Sequence, residues 1–504
     1  MSNKTKLLWQ NIDWSKVKSR IDRLQKRIYK FSLTENKGRV IFLQHLLINS
    51  LDAKLLAVHR VTSESQGCKI SGIDHLIYIT PEQKMTLAKQ LVINGKAPTM
   101  RTIWIPKLKT PKSKPFSIPI IKDRVKQKLV LLALEPEWEA HFEPNSYGFR
   151  PGKSTHDAMQ AIWNIMRNER KNYTTGQYVF HADLKGCFDS INHNYLLKQL
   201  NAPPKISAQV ASWLKVGIFE SLRLDPKYDV VVRNAKGMPQ GRIIAPFLVN
   251  VALHGMEIFL KEWICSQKWP TQQKHENYTA NKIKSIGLVR YADCFVVIHQ
   301  DLNIISAAKE AISQWLANTS QVPINEDKSK IIHSSMGFNF LGFSVITINR
   351  KGLTRCKITP SNKIQKKLVQ EIGDKCRKYR SISTFKLIES LRPTILAWGN
   401  HYCYCECKPT FSKLDRSIFQ IIRAWVFRRD TRQGRNTVKE KYFPEGRIFT
   451  YDGRSYQNNW ILVGQKKQKS GHFKENFLPK LSWIKSKKYV KVRNVTSIYS
   501  NENA

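Results

Sequence analysis

The sequence predicts an α+β or α/β core carried between basic helical segments. Three observations predict it: short β-like runs alternating with helical stretches from about residue 81 to 345, a three-and-four apolar spacing over residues 14–28, and a fading of strand signals after residue 360. Taken in order, Trp14, Val17, Ile21, Leu24 and Ile28 fall on one helical face, while Lys16, Lys18, Arg20, Arg23, Lys26 and Arg27 crowd the remainder. VIFLQHLLINSLDAKLLAVHR predicts a second, apolar helix over 39–59. This pair is either a cationic contact surface or a helical pair with a solvated charged face.

The runs RTIWIP, FSIPII, YVFHADL, YDVVVR, GLVRYADCFVVI and GFNFLGFSVI read as strands, with helices at 121–141 and 154–168 between them. Residues 361–380 and 410–429 read as basic amphipathic helices. The stretch from about 445 to 504 is polar and lysine-rich, with Tyr451, Tyr456, Trp460, Phe473, Phe477, Trp483 and Tyr489 interleaved. Such interleaving suits nucleic-acid contact, and equally a small loop-rich module packed on its neighbour.

Charge narrows the function classes. Lys+Arg 84 against Asp+Glu 38 gives a net charge of +46 over 504 residues, far beyond the roughly 2 to 8 that solubility asks of a small domain. A polyanionic partner is expected, because phosphate contacts release counterions. No apolar run of about 18 residues predicts a membrane span, and MSNKTKLLWQNIDWSKV holds no signal-peptide-like apolar run. Nine cysteines in a long chain favour reduced thiols. In YCYCEC, Cys403, Cys405 and Cys407 alternate, a spacing that suits buried or free thiols better than the CxxC pairs of structural zinc sites.

Two strand ends carry the chemistry. YVFHAD ends on Asp183 and GLVRYAD on Asp293. Carboxylates at the tips of adjacent strands can hold two divalent cations about 3.5–4 Å apart, the arrangement that activates a hydroxyl and stabilises a leaving pyrophosphate. Mg²⁺ prefers such oxygen ligands. Each aspartate taken singly is equally well a turn residue.

The ordered motifs resemble the group II intron-encoded reverse transcriptases, or maturases. WIPKLKTPKSKPFSIPIIKDRVKQKLVLLALEPEWEAHFEPNSYGFRPGKSTHDA is similar to their finger motifs and VFHADLKGCFDSINH to the first palm motif. GMPQGRIIAPFLVNVALHGME, RYADCFVV and INEDKSKIIHSSMGFNFLGF resemble the motifs that follow. LRPTILAWGNHY with FSKLDRSIFQIIRAWVFRR resembles the thumb, or X domain. The resemblance implies an α+β right-hand polymerase in four parts. These are a basic helical extension (1–80), fingers and palm (81–345), a helical thumb (346–444), and a basic DNA-binding-like segment (445–504).

It further implies that Asp183 and Asp293 are catalytic and ligate a Mg²⁺ pair. Phe188 would lie beneath the nucleotide sugar, with core packing as its alternative role. Lys107 and Lys114 would contact the incoming triphosphate, Gln240 would sit near nucleotide and template, and Lys328 near the leaving phosphate. Intron RNA would be held by Lys16, Arg20, Arg23, Lys26 and Arg27, by Lys363, Lys366, Lys367 and Arg377, and by Arg416, Arg423, Arg428 and Arg429. Target DNA and dNTPs are further implied partners, and a bacterial cytoplasm or an organellar matrix the expected location.

The departures matter. The family's YADD is YADC here and its PQGG is PQGR. Cys294 offers a mostly protonated thiol, and even its thiolate is a soft ligand poorly matched to Mg²⁺. Arg242 lacks the conformational freedom of glycine, although its reach brings a phosphate within range. No CxxC pair follows the thumb and only His472 follows His401, so cleavage of a second DNA strand by this chain is not expected. The sequence therefore predicts an intron-RNA-binding maturase with impaired polymerase activity, or alternatively an active RNA-directed DNA polymerase supporting retrohoming.

Overall fold

The computed structural model describes residues 8–65, 67–106, 113–167, 177–216, 218–221, 229–232, 237–238, 241–267, 278–350, 353–468, 472–489 and 497–500. The chain divides into two compact units, one of Met1–Ile162, Tyr178–Ile331 and Val492–Ala504, the other of Trp163–Gln177 and Ile332–Lys491. Its mixture of helices and mostly antiparallel sheets, with one parallel pairing between Met100–Pro106 and Ile218–Ser221, is the expected α+β class.

In the first unit, Asp13 starts the helix Trp14–Leu33 by accepting the Ser15 and Lys16 N–H groups, each at 3.1 Å. Val17, Ile21 and Ile28 are buried, as the spacing predicts. The single helix expected over 39–59 is two helices, Lys37–Asn49 and Leu51–His59. Ser50 adopts extended backbone (φ −66°, ψ 139°) and its hydroxyl caps Ala53 N–H at 3.1 Å, which breaks the helix.

These helices lie in the same compact unit as the residues that follow. They share one core with the helix Ile121–His141, whose Val125, Leu129, Val130, Leu132, Ala133 and Leu134 are all buried. The helix is covered on nearly every side, so its polar Asp123, Arg124, Lys126, Gln127 and Glu137 are buried with the apolar residues. Gln25 Nε2 donates to the Leu132 carbonyl at 2.8 Å, and Lys37 Nζ and Gln44 Nε2 reach the Glu137 carboxylate at 2.7 and 2.6 Å.

Two four-stranded sheets complete this unit. One runs in the order Ser113–Ile118, Met100–Pro106, Ile218–Ser221, Asp229–Val232. The other runs Gly287–Tyr291, Cys294–His299, Tyr178–Asp183, Lys330–His333. The helix Leu302–Asn318 buries Ile305, Ala308, Ile312 and Leu316, and Phe180 meets Phe295 edge to face at 5.9 Å within the second sheet.

The stretch from Ile332 to residue 345 groups with the second unit, where it packs on the helices that follow. Phe338–Phe340 pairs with Phe343–Arg350, and the Phe343 ring lies 5.0 Å from that of Tyr402. Helices Asn362–Lys378, Thr384–Tyr402 and Lys408–Arg429 follow.

Strand structure does not end at 360. Ile448–Tyr451 pairs with Arg454–Gln457, and Val463–Lys467 with Phe473–Phe477. Phe449, Val463, Ile461 and Trp483 form a small core, with Tyr451, Tyr456 and Phe477 packed against it. Trp460 lies against Phe419 and Phe443 at 5.3 and 5.7 Å. Most of these aromatics therefore build a packed module; Phe473 alone of them is largely exposed, at 65%. No single helix among the described residues is long and apolar enough to cross a membrane.

Candidate catalytic centre

The second palm sheet sets the positions. Asp183 ends its strand opposite Cys294 in antiparallel register. Tyr291 pairs with Cys294 across a two-residue connection, so Asp293 sits in a hairpin turn and Cys294 opens the returning strand. The tips are clasped: Leu184 N–H donates to the Asp293 carbonyl at 3.1 Å, and Asn325 N–H to the Asp183 carbonyl at 2.8 Å.

Side chains converge there. Donor atoms of Asp183, Asp293 and Cys294 all lie within 4.8 Å of one another, the one such cluster of possible metal ligands among the described residues. Cys294 Sγ is 3.4 Å from Asp183 Oδ1 and 3.9 Å from Asp293 Oδ1. Lys328 Nζ lies 2.6 Å from Asp183 Oδ2, and that bond raises the lysine's pKa. Burial, then the neighbouring Asp183 carboxylate, raises the pKa of Asp293. Burial, then Asp293 and Asp183, pushes the Cys294 thiol upward, so without a cation it is protonated and neutral.

The turn is held from beneath by residues that motif reading alone passes over. Ala292 has φ +55°, an uncommon conformation for a residue with a side chain. Gly148 packs directly under it; a Cβ there would fall 2.3 Å from Ala292 N. Arg290 is fully buried, its Nη1 donating to Asn250 Oδ1 at 3.1 Å, while Nη2 faces Glu143 Oε2 at 3.8 Å. Asn250 Nδ2 in turn donates to the Gly148 carbonyl at 2.6 Å. Arg290 N–H donates to the Asn145 carbonyl at 2.9 Å. One signal was available: a lone arginine inside the apolar run LVRYA must find partners if that run is a buried strand.

The other expected site residues divide. Phe188 is half-buried, packed against the core, and its carbonyl accepts Met238 N–H. Lys107 and Gln240 lie outside the described residues, as does the Lys114 side chain. Arg242 does not reach outward. It is 4% exposed, with Nε on Met100 Sδ at 3.3 Å and Nη1 on the Trp213 carbonyl; burial pushes its pKa down to about 10. Gly241 carries the conformation a side chain resists, at φ +112°, where a Cβ would fall 2.1 Å from the Ser117 carbonyl oxygen. The first glycine of the loop thus does the work that makes Arg242 look disruptive in the sequence.

The cationic residues lie where helix periodicity puts them. Lys16, Arg20, Arg23 and Arg27 are exposed and Lys26 is half-buried; Arg20 is tied to Asp52 at 2.6 and 2.9 Å. In the second unit Lys363, Lys366, Lys367, Arg377, Arg416, Arg423, Arg428 and Arg429 are all exposed. Arg377, Arg380, Arg428 and Arg429 line an open groove of about 760 Å³ with Gly373 and Trp425, and Arg429 stacks 5.1 Å over the Trp425 ring. All nine cysteines are free. Cys403 and Cys405 each place a thiol 3.1 Å from a backbone carbonyl, of Asn400 and Tyr402.

Comparison with known proteins gives three matches in chain order. The N-terminal domain of reverse transcriptase matches residues 9–91, reverse transcriptase (RNA-dependent DNA polymerase) residues 105–345, and the group II intron maturase-specific domain residues 365–443. The chain belongs to the group II intron reverse transcriptase/maturase family. Protein YkfC of Escherichia coli is 27% identical over 354 residues, 65% of this chain and 88% of that protein. Group II intron-encoded protein LtrA of Lactococcus lactis is 26% identical over 333 residues, 56% of this chain and 52% of LtrA. Maturase-like protein 1 of Euglena gracilis is 29% identical over 252 residues, 49% of this chain and 52% of that one. The chain thus matches about half the length of the last two. Apo telomerase from Candida tropicalis overlaps with a TM-score of 0.38 at 15% identity, over 52% of this chain and 55% of that one.

Reverse transcriptases of this fold use Mg²⁺. Asp183 and Asp293 suit it, as oxygen donors in reach of one cation. The donor set as a whole does not fit a pair: the third donor is sulfur, a poor ligand for Mg²⁺.

Proposed function

We propose that this protein is a maturase that binds and stabilises folded group II intron RNA, promoting the intron's own transesterifications, and that its RNA-directed DNA polymerase activity is impaired. The observation that carries this reading is a contrast. The cationic side chains that binding needs are exposed on Trp14–Leu33, Asn362–Lys378 and Lys408–Arg429, whereas the catalytic pocket has exchanged a carboxylate for a thiol. RNA of this kind is held by shape and backbone contacts, which exposed arginines and lysines supply without a base-reading motif. Partners are then the intron RNA, with a bacterial cytoplasm or an organellar matrix as the setting.

In this reading Lys328 and Asp183 hold each other, Phe188 lies beneath the nucleotide sugar, and the buried frame keeps the turn in place. Splicing of a cognate intron at near-physiological Mg²⁺, with and without protein, tests the maturase role; absence of stimulation refutes it. Primer extension on an RNA template tests the impairment. Cys294→Asp is expected to exceed wild type by about tenfold or more, on the scale of restoring one electrostatic stabiliser, with Asp183→Ala inactive. Equal rates for wild type and Cys294→Asp would remove the claim. A second reading, an active polymerase that uses dNTPs and target DNA in retrohoming, is favoured by one observation: Asp183 and Asp293 remain close enough to share a cation.

A further inference from the structure

We propose that Asp183, Asp293 and Cys294 form a site for one thiophilic divalent cation of the Zn²⁺ or Cd²⁺ class, in place of the Mg²⁺ pair that the fold otherwise holds. A tetrahedral Zn²⁺ with sulfur at about 2.3 Å and carboxylate oxygen at about 2.0 Å sets its S···O edges at about 3.5 Å. The two edges here measure 3.4 and 3.9 Å, and all three donors lie within 4.8 Å of one another, so small side-chain adjustments bring them onto such an ion. Mg²⁺ demands an octahedron of oxygens at 2.0–2.1 Å, in which a thiol has no place.

Charge gives the same answer. Two carboxylates and one thiolate balance one divalent cation and one lysine. Two Mg²⁺ ions facing two carboxylates and that same lysine leave a large positive excess. The pocket already accommodates one cationic group, the Lys328 ammonium seated on Asp183 at 2.6 Å. Lys328 is 65% exposed, so its ammonium shifts off Asp183 at little cost when an ion enters while staying at the pocket's rim as the balancing charge. Binding is a proton-for-metal exchange: the Cys294 S–H bond breaks, the proton leaves to solvent, and the sulfur lone pair forms the bond to the metal. No electron transfer is involved. The fourth tetrahedral position is left to water or to an incoming oxygen ligand.

The site belongs to the palm's cation pocket and stands apart from intron binding, so its test uses no RNA. The full-length protein is titrated with Cd²⁺ and the ultraviolet sulfur-to-cadmium charge-transfer band is followed, alongside Cys294→Ser and Cys294→Asp; protons released are counted with an indicator dye. The other eight cysteines are present in all three proteins, so the difference spectra read Cys294 alone. Wild type is expected to show one equivalent of Cd²⁺, with a released proton, that both variants lack and that excess Mg²⁺ does not displace. Removing the thiol should weaken binding by more than the roughly 10–100-fold that removal of an outer-sphere partner costs. Cys294→Asp, whose side chain the family itself carries at this position, should instead gain binding of Mn²⁺ followed by its paramagnetic resonance. Identical Cd²⁺ spectra for the three proteins, or ready displacement by Mg²⁺, overturns the proposal.

Discussion

The palm and the thumb meet their tasks by opposite means. Beneath the catalytic turn, Arg290, Asn250 and Gly148 are locked by buried hydrogen bonds and by a backbone approach that admits no extra carbon. On the thumb helices the groups proposed to hold RNA are exposed arginines and lysines, several of them around an open groove. A two-cation reaction needs atoms held to fractions of an ångström, whereas phosphate binding needs charge density and tolerates movement. The difference teaches where a substitution is felt. The frame around Arg290, Asn250 and Gly148 is intact around the turn that carries Cys294, so the proposed impairment rests on the changed donor and not on a lost scaffold.

Three experiments break or sharpen that contrast. The largest effect is expected from Arg290→Met, which leaves Glu143 buried and short of its partner; unfolding by denaturant should register a loss of about 3–5 kcal/mol. A loss below about 1 kcal/mol would mean that the frame does not depend on that pair. Gly148→Ala comes next. Its Cβ would fall 2.3 Å from Ala292 N, so either the turn shifts or the neighbouring loop does, at about 1–3 kcal/mol. Thermal unfolding measures the cost, and a wild-type melting temperature would show that the loop yields freely. The smallest effect per residue belongs to the thumb. Replacing Arg377, Arg428 and Arg429 by alanine should cost little stability, Arg429 giving up its stack on Trp425, and reduce the log–log salt slope of RNA binding by about 0.7 for each phosphate no longer neutralised. An unchanged slope would place the RNA elsewhere.

Much of this is legible in the sequence. The helix at 14–33 follows from apolar spacing, and the motif order delivers both aspartates. What stays hidden is non-local or depends on burial. Lys328 and Asp183 meet across 145 residues, and no local pattern pairs them. Arg242 reads as a cation near phosphate because its charge is visible and its burial between Met100 and Trp213 is not. Other misses were avoidable. Ser50 followed by Leu51 and Asp52 is a helix-start signal, and YDGR at 451–454 is a two-residue hairpin signal, with Asp452 and Gly453 both at positive φ. Seeing only lysines and aromatics there conceals two ribbons.

The lysine seated on Asp183 has one more implication. Without it, the carboxylates of Asp183 and Asp293 would face each other with no opposing charge close by. Here the chain carries its own counter-ion, so the pocket is partly neutralised before any metal arrives.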